Sequence, residues 1–406
     1  MDDQATQTAP LVPAKGSKVS PLLITWVAVS AFIVAAAYLQ SAGMLRLAVV
    51  TQLLSGYDVF AFKRFDVPRL PPSKNFDIAG QKGGKLSAIA VKDKYAYIGA
   101  GESLLIVNIE NPKRISIVGS LLLLGQITDI ELEGNYAFVC NGRGGLRIVD
   151  VHNPAKPKEV AAYGHMAVPK RACIENGCAY IAAGMKGLEV LDVRNPIRPV
   201  AVSFEDSAES AGTLDSKNIC IDDDRLCVID EDQGLRLFDI KDPRNPEKIG
   251  EWKAGGRGLR RGAAACEGKT ILIAGDSPDE GVSLLNIGGS KPELTSSLDV
   301  PQYWYGTCAK IRDGFALIGT SSGLIVLDIH DKKKPKQLST FDAVKDIMDL
   351  DVKGTYVYVT NSTGDLSVID ISDPFTPLLV SRHHLGGDIQ LMTLLDRTLY
   401  LSLIHI

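Results

Sequence analysis

At 406 residues the chain exceeds the usual size of one compact core, so it must hold several domains or a repeat array. Hydrophobic residues at 45% and charged residues at 23% exclude wholesale disorder, and a net charge of −4 leaves no electrostatic footprint for nucleic acid. Seven cysteines, an odd number with no C-x-x-C pair, exclude c-type haem, thioredoxin-like and zinc-ribbon chemistry.

Residues 1–20 read as a disordered tail. Between Lys18 and Arg46 lie 27 positions without a charge, and Leu22 to Leu39 is almost wholly apolar. A helix needs about 20 such residues to cross a bilayer, which predicts a transmembrane helix over 21–42. Trp26 and Tyr38 sit near its ends, where aromatic rings favour the interface. The apolar core is longer than that of a cleaved signal peptide, so a retained anchor is expected. The short N-terminal tail places the rest of the chain on the extracytoplasmic side. Residues 43–85 form a membrane-proximal linker marked by Pro68, Pro71 and Pro72, and Gly56 to Phe62 offers one strand-like segment.

From residue 86 onward one phrase recurs: Ser103-Leu-Leu-Ile-Val-Asn-Ile, Gly145-Leu-Arg-Ile-Val-Asp-Val, Gly187-Leu-Glu-Val-Leu-Asp-Val, Gly234-Leu-Arg-Leu-Phe-Asp-Ile, Gly281-Val-Ser-Leu-Leu-Asn-Ile, Gly323-Leu-Ile-Val-Leu-Asp-Ile and Asp365-Leu-Ser-Val-Ile-Asp-Ile. Its acidic or amide position falls at Asn108, Asp150, Asp192, Asp239, Asn286, Asp328 and Asp370, with spacings of 42, 42, 47, 47, 42 and 42. Each copy reads as four short strands separated by turns, as at Glu133-Gly134-Asn135. The signature strand is apolar on both faces, as a strand sandwiched between neighbouring sheets must be. Prolines follow the Asp or Asn at Pro112, Pro154, Pro196, Pro243 and Pro374, and again at Pro157, Pro199, Pro246, Pro335 and Pro377. An Asp or Asn there can accept backbone N–H groups just beyond it, so the series is expected to cap turns, not to catalyse or bind metal.

These repeats resemble the LVIVD-repeat proteins, a family of bacterial and archaeal propellers, over residues 86–402. The resemblance implies an all-β propeller of four-stranded blades at or beyond the cell membrane, and no uniform activity. WD40 and kelch arrays match less well, lacking their Trp-Asp and Gly-Gly signatures. Gln390 to Leu401 begins an eighth copy, so eight blades are favoured over seven, with Gly56 to Phe62 as a closing strand. After Leu401 the repeat requires a polar turn, whereas the chain reads Ser402-Leu-Ile-His-Ile, as an interrupted eighth copy would.

Candidate binding residues cluster on the connections between repeats: Lys170 and Arg171; Arg257, Arg260 and Arg261; Tyr303, Trp304 and Tyr305; and His383 and His384, with His165 nearby. If they converge, they form a rim of guanidinium donors, aromatic faces and imidazoles suited to an anionic ligand, a glycan or a protein partner's peptide. Acidic turns at Asp222-Asp223-Asp224 and Asp230 to Gly234 lack the full spacing of a calcium loop. No H-E-x-x-H, G-x-S-x-G or phosphate-binding loop occurs, so neither a metal nor a cofactor is expected. The cysteines read as small buried hydrophobes; Cys173 and Cys178 can face each other across one turn, but no disulfide is assigned. The reading is a membrane-anchored binding or scaffold module. The alternative is a lyase or hydrolase whose site is assembled from several blades, using His165, His383 or His384 with Arg260.

Overall fold

A computed structural model describes residues 85–406 apart from 124, 165–167, 205–215, 231–233, 254–262, 276–280, 300–305, 387–388, 396–397 and 404–406. The expected tail, membrane span and linker, with its Gly56–Phe62 strand, lie outside the described residues. Among the described residues no helix is long and apolar enough to cross a membrane.

Seven antiparallel four-stranded sheets follow one another along the chain. Blade 1 comprises β1 (Leu86–Lys92), β2 (Tyr95–Ala100), β3 (Ser103–Asn108) and β4 (Ser116–Leu122). Blade 2 comprises β5 (Asp129–Glu133), β6 (Tyr136–Cys140), β7 (Leu146–Asp150) and β8 (Lys158–Tyr163). Blade 3 holds β9 (Arg171–Glu175), β10 (Cys178–Ala182), β11 (Leu188–Asp192) and β12 (Val200–Phe204). Blade 4 holds β13 (Ser216–Asp222), β14 (Arg225–Asp230), β15 (Gly234–Asp239) and β16 (Glu247–Trp252). Blade 5 is β17 (Ala263–Glu267), β18 (Thr270–Ala274), β19 (Val282–Asn286) and β20 (Glu293–Leu298). Blade 6 is β21 (Gly306–Arg312), β22 (Phe315–Thr320), β23 (Leu324–Asp328) and β24 (Lys336–Phe341). Blade 7 is β25 (Ile347–Lys353), β26 (Tyr356–Asn361), β27 (Asp365–Asp370) and β28 (Leu378–His384).

The first strand of each blade is innermost. Each packs on the next, from β1 through β5, β9, β13, β17, β21 and β25, and β25 then packs on β1. The ring therefore closes at seven blades, which corrects the expectation of eight. The hairpin of β29 (Ile389–Leu395) and β30 (Thr398–Leu403) keeps the first half of the repeat but pairs only with itself. No blade is shared between the two ends of the ring.

The signature strands β3, β7, β11, β15, β19, β23 and β27 are buried on both faces, because each face meets a neighbouring blade. Seven apolar clusters, each spanning two adjacent blades, make up the core. The glycine that opens the signature has a backbone reason. Gly145 adopts φ 80°, and a Cβ there would lie 2.2 Å from the Tyr163 carbonyl oxygen.

The turn-capping geometry recurs in every blade. Asn108, Asp150, Asp192, Asp239, Asn286, Asp328 and Asp370 each accept the N–H two residues on, at 2.8–3.1 Å. A second cap sits three residues later: Asn111, Asn153, Asp242, Asp331 and Asp373 accept in the same way.

A small residue on each outer strand lets the next blade's turn nest against it. The series runs Gly119, Ala161, Ser203, Gly250, Ser296, Ser339 and Ser381. At Gly119 a Cβ would sit 2.0 Å from the Pro154 carbonyl oxygen. At three of the four serines the hydroxyl donates to that turn's carbonyl: Ser296 to Lys332 (2.6 Å), Ser339 to Pro374 (2.7 Å) and Ser381 to Pro112 (2.5 Å). The last of these joins blade 7 to blade 1, so the closing seam repeats the geometry of the others.

Candidate functional site

The inner edge of a propeller blade presents N–H groups without a strand partner, and these must be satisfied or left in water. Around the channel, carboxylates from the preceding blade accept them. Asp129 accepts Ala172 N–H at 2.9 Å, Asp349 accepts Ile89 N–H at 2.9 Å, and Asp351 accepts Val91 N–H at 2.6 Å. Asp349 also faces Arg171 at 3.3 Å, and Asp351 lies 3.6 Å from Lys310. With Glu131 these groups line a cavity of about 220 Å³ in the channel wall, formed by blades 1, 2, 3, 6 and 7. Four carboxylates here meet Arg171 and Lys310, and Lys92 is also on the lining.

The enclosure moves their proton affinities. Burial pushes the Asp129 carboxyl up to about 6, against the pull of Arg171. Glu131 makes no hydrogen bond or ion pair among the described residues. Burial raises it to about 8, with Lys310 opposing and Asp129 and Asp351 adding to the rise. Asp349 is raised by burial despite Arg171. Lys310 is held above the ordinary lysine range first by Asp351. Burial works against the charge on Arg171, but Asp349 and Asp129 outweigh it and hold its pKa high.

Further round the channel wall, from blade 3 to blade 5, carboxylates give way to cysteines. At the level of Glu131, Lys310 and Asp351, blades 3 and 4 place Cys173 and Cys220, and in blade 5 Cys266 follows one residue after the equivalent Ala265. Cys220 and Cys266 form a disulfide across the seam of blades 4 and 5. This corrects the reading of every cysteine as a simple buried hydrophobe. Cys140, Cys178, Cys227 and Cys308 are buried free thiols, and Cys173 is free and half-buried.

Among the residues proposed from sequence, Arg171 opens β9 and points its guanidinium at Asp349, so it is committed to an ion pair in the channel. Lys170 is half-buried and its N–H donates to the Ala182 carbonyl. His383 and His384 are not on a connection; they end β28, the outermost strand of blade 7. His384 contacts Asp365 at 2.8 Å, and burial lowers the His383 pKa. Three strand spacings of about 4.8 Å, roughly 14 Å, separate β28 from β25, where Arg171 is anchored. The two imidazoles and Arg171 therefore do not share a pocket. His165, Arg257, Arg260, Arg261, Tyr303, Trp304 and Tyr305 lie outside the described residues.

Sequence reasoning missed Asp129, Glu131, Lys310, Asp349 and Asp351, none of which belongs to the signature phrase. Their signal is acid alternating with apolar residues on a first strand, as in Asp129-Ile-Glu131 and Asp349-Leu-Asp351. On the outer wall, several large apolar side chains are exposed: Phe375 (64%), Leu378 (66%) and Leu379 (40%) on blade 7, and Ile117 (49%) on blade 1.

The LVIVD repeat model matches the chain four times, over residues 83–122, 124–164, 173–204 and 345–384. No curated protein matches it in sequence. Among solved structures it is similar to the computationally designed Ika8 protein, at 13% identity and TM-score 0.57, covering 80% of this chain and 94% of that one. It is also similar to the β-propeller domain of Cps50 (Swd1) from Myceliophteria thermophila, at 12% identity and TM-score 0.57, covering 70% and 96%. PorZ of Porphyromonas gingivalis, an essential bacterial surface component of the type-IX secretion system, matches at 17% identity and TM-score 0.51, covering 73% of this chain and 38% of PorZ. At these identities the likeness is one of fold.

Proposed function

We propose that this chain, an LVIVD-repeat protein built as a seven-bladed propeller, is a membrane-anchored scaffold that holds a protein partner against its outer wall. The observation that carries the reading is the outer strand of blade 7. At the turn tip, blades 1, 4, 5 and 6 have Lys113, Arg244, Lys291 and Lys333, whereas blade 3 has the exposed Ile197 and blade 7 the exposed Phe375. On the strand that follows, blade 7 has two leucines, Leu378 and Leu379, where blade 6 has Lys336 and Gln337, blade 2 has Lys158 and Glu159, and blade 3 has Val200 and the small Ala201. Charges along a free edge discourage foreign strands from pairing with it, and blade 7 replaces them with leucine. Contiguous exposed apolar side chains favour a protein partner over a glycan, whose hydroxyls need polar partners.

The uncharged stretch between Lys18 and Arg46 supplies the anchor, and the ring stands on the extracytoplasmic side. The Cys220–Cys266 disulfide supports that side, since such bonds persist in oxidising compartments. PorZ is a surface component of its bacterium, and a place at the cell surface is in keeping with that.

Site-specific photo-crosslinking of the full-length chain in its native membrane tests the reading. A photoreactive residue replacing Phe375 gives one discrete adduct, and the same residue replacing Lys333 gives none. Equal adducts at both positions, or none at Phe375, would overturn it.

A further inference from the structure

Cys220 on β13, Cys227 on β14 and Cys266 on β17 meet where blade 4 packs on blade 5. Their sulfurs all lie within 4.8 Å of one another. Cys220 and Cys227 are cross-strand partners in register, and Cys266 enters from the next inner strand, bonded to Cys220. The two bonded cysteines are half-buried at the channel wall, and Cys227 is fully buried behind them. Ile229, Leu235, Ala264 and Ile271 line the surroundings.

A disulfide needs two sulfurs, and the third has no part in that bond. The register positions equivalent to Cys227 hold Tyr97, Phe138, Tyr180, Leu272, Leu317 and Tyr358, all large side chains that fill the space between blades. Blade 4 alone replaces that bulk with a small residue. Alanine would have made the same room; the chain places a thiol there.

We propose that the trio is a redox-gated site for a soft monovalent metal ion of the copper(I) class. The disulfide is the closed state. A dithiol opens it by delivering two electrons and two protons, closing its own disulfide while Cys220 and Cys266 become thiols. Metal entry from the channel then displaces protons from the ligating thiols to solvent, and Cys227 supplies the third sulfur. A metal–sulfur bond of about 2.3 Å places the sulfurs of a trigonal site about 4 Å apart, a spacing the cluster reaches once the S–S bond is broken. Sulfur donors in an apolar wall select soft ions. Zinc in structural sites takes four protein ligands, and this group among the described residues offers three.

Copper(I) titration of the full-length protein, oxidised and after reduction with a dithiol, provides the test, with copper–thiolate luminescence as readout and circular dichroism to follow the sheets. The reduced protein takes up one equivalent with a luminescent signature, and the oxidised protein takes up none. Cys227→Ala keeps the disulfide and the fold, and after reduction it binds at least tenfold more weakly. Equal uptake by oxidised and reduced protein, unchanged affinity in Cys227→Ala, tighter binding of zinc than of copper(I), or loss of the sheets on reduction would each overturn the proposal.

Discussion

Two seams of the ring are joined by opposite means. Between blades 4 and 5 the chain is continuous, the Cys220–Cys266 disulfide adds a covalent tie, and Asp222 accepts Gly268 N–H at 3.0 Å. Between blades 7 and 1 there is no continuous chain and no covalent tie. Asp349 and Asp351 hold the edge of β1, and Ser381 holds the Pro112 turn. The covalent seam is held however the channel is protonated. The closing seam depends on carboxylates in a confined, charged channel, and so on what surrounds them. The closing join is therefore the weak point of such a ring, since neither a chain connection nor a disulfide keeps its two faces together once they part.

That contrast can be broken by mutation. Asp349→Ala leaves Ile89 N–H without its acceptor and Arg171 without its partner. Losing one side of a buried pair costs about 3–5 kcal/mol, measured by urea unfolding. Asp349→Asn keeps an acceptor for Ile89 and loses less. At the covalent seam, Cys220→Ser costs about 2–4 kcal/mol, and a dithiol should produce the same loss in the unmodified chain but none further in the variant. If Cys220→Ser proves costlier than Asp349→Ala, the ranking of the seams is reversed. Asp150→Ala removes one turn cap of seven, at about 1 kcal/mol, and the equivalent change Asp328→Ala should cost the same within error. A melting temperature unchanged in both variants would remove the caps from the account of stability.

The subtlest effect is that of pH. Glu131 keeps its proton in the fold up to about pH 8 but loses it in the unfolded chain near 4.5. Between those values the folded state binds more protons, so stability falls as pH rises. Asp129 acts the same way between 3.8 and about 6. Glu131→Gln should flatten the decline in melting temperature from pH 5 to pH 8, by an amount that channel water screens. An unaltered pH profile would show that Glu131 is as well solvated in the fold as out of it.

The repeat was legible because seven copies share one phrase, and that phrase is the strand buried on both faces. Packing on two sides restricts its residues so tightly that the pattern survives in sequence. The turn caps were legible for a similar reason, since each is a contact within one short stretch. The blade count was not, because the start of an eighth copy looks the same whether or not it enters the ring. Closure is decided by pairs such as Asp349 with Ile89 and Ser381 with Pro112, contacts of the same kind as at other seams but 260 and 269 residues apart in sequence. The candidate rim was read from residue types on connections. Arg171 was seen as a free cation because Asp349, the residue that engages it, lies 178 positions away.

Because no blade draws strands from both ends of the chain, every blade can complete itself as it emerges during synthesis. Only the last join must wait. The edge of β1 is made early, yet the carboxylate that covers Ile89 follows 260 residues later. At about 5–20 residues per second, that edge stays open for roughly 13 to 50 seconds of elongation. An open arc of six blades, with one raw edge at its beginning, is the species that a chaperone would meet.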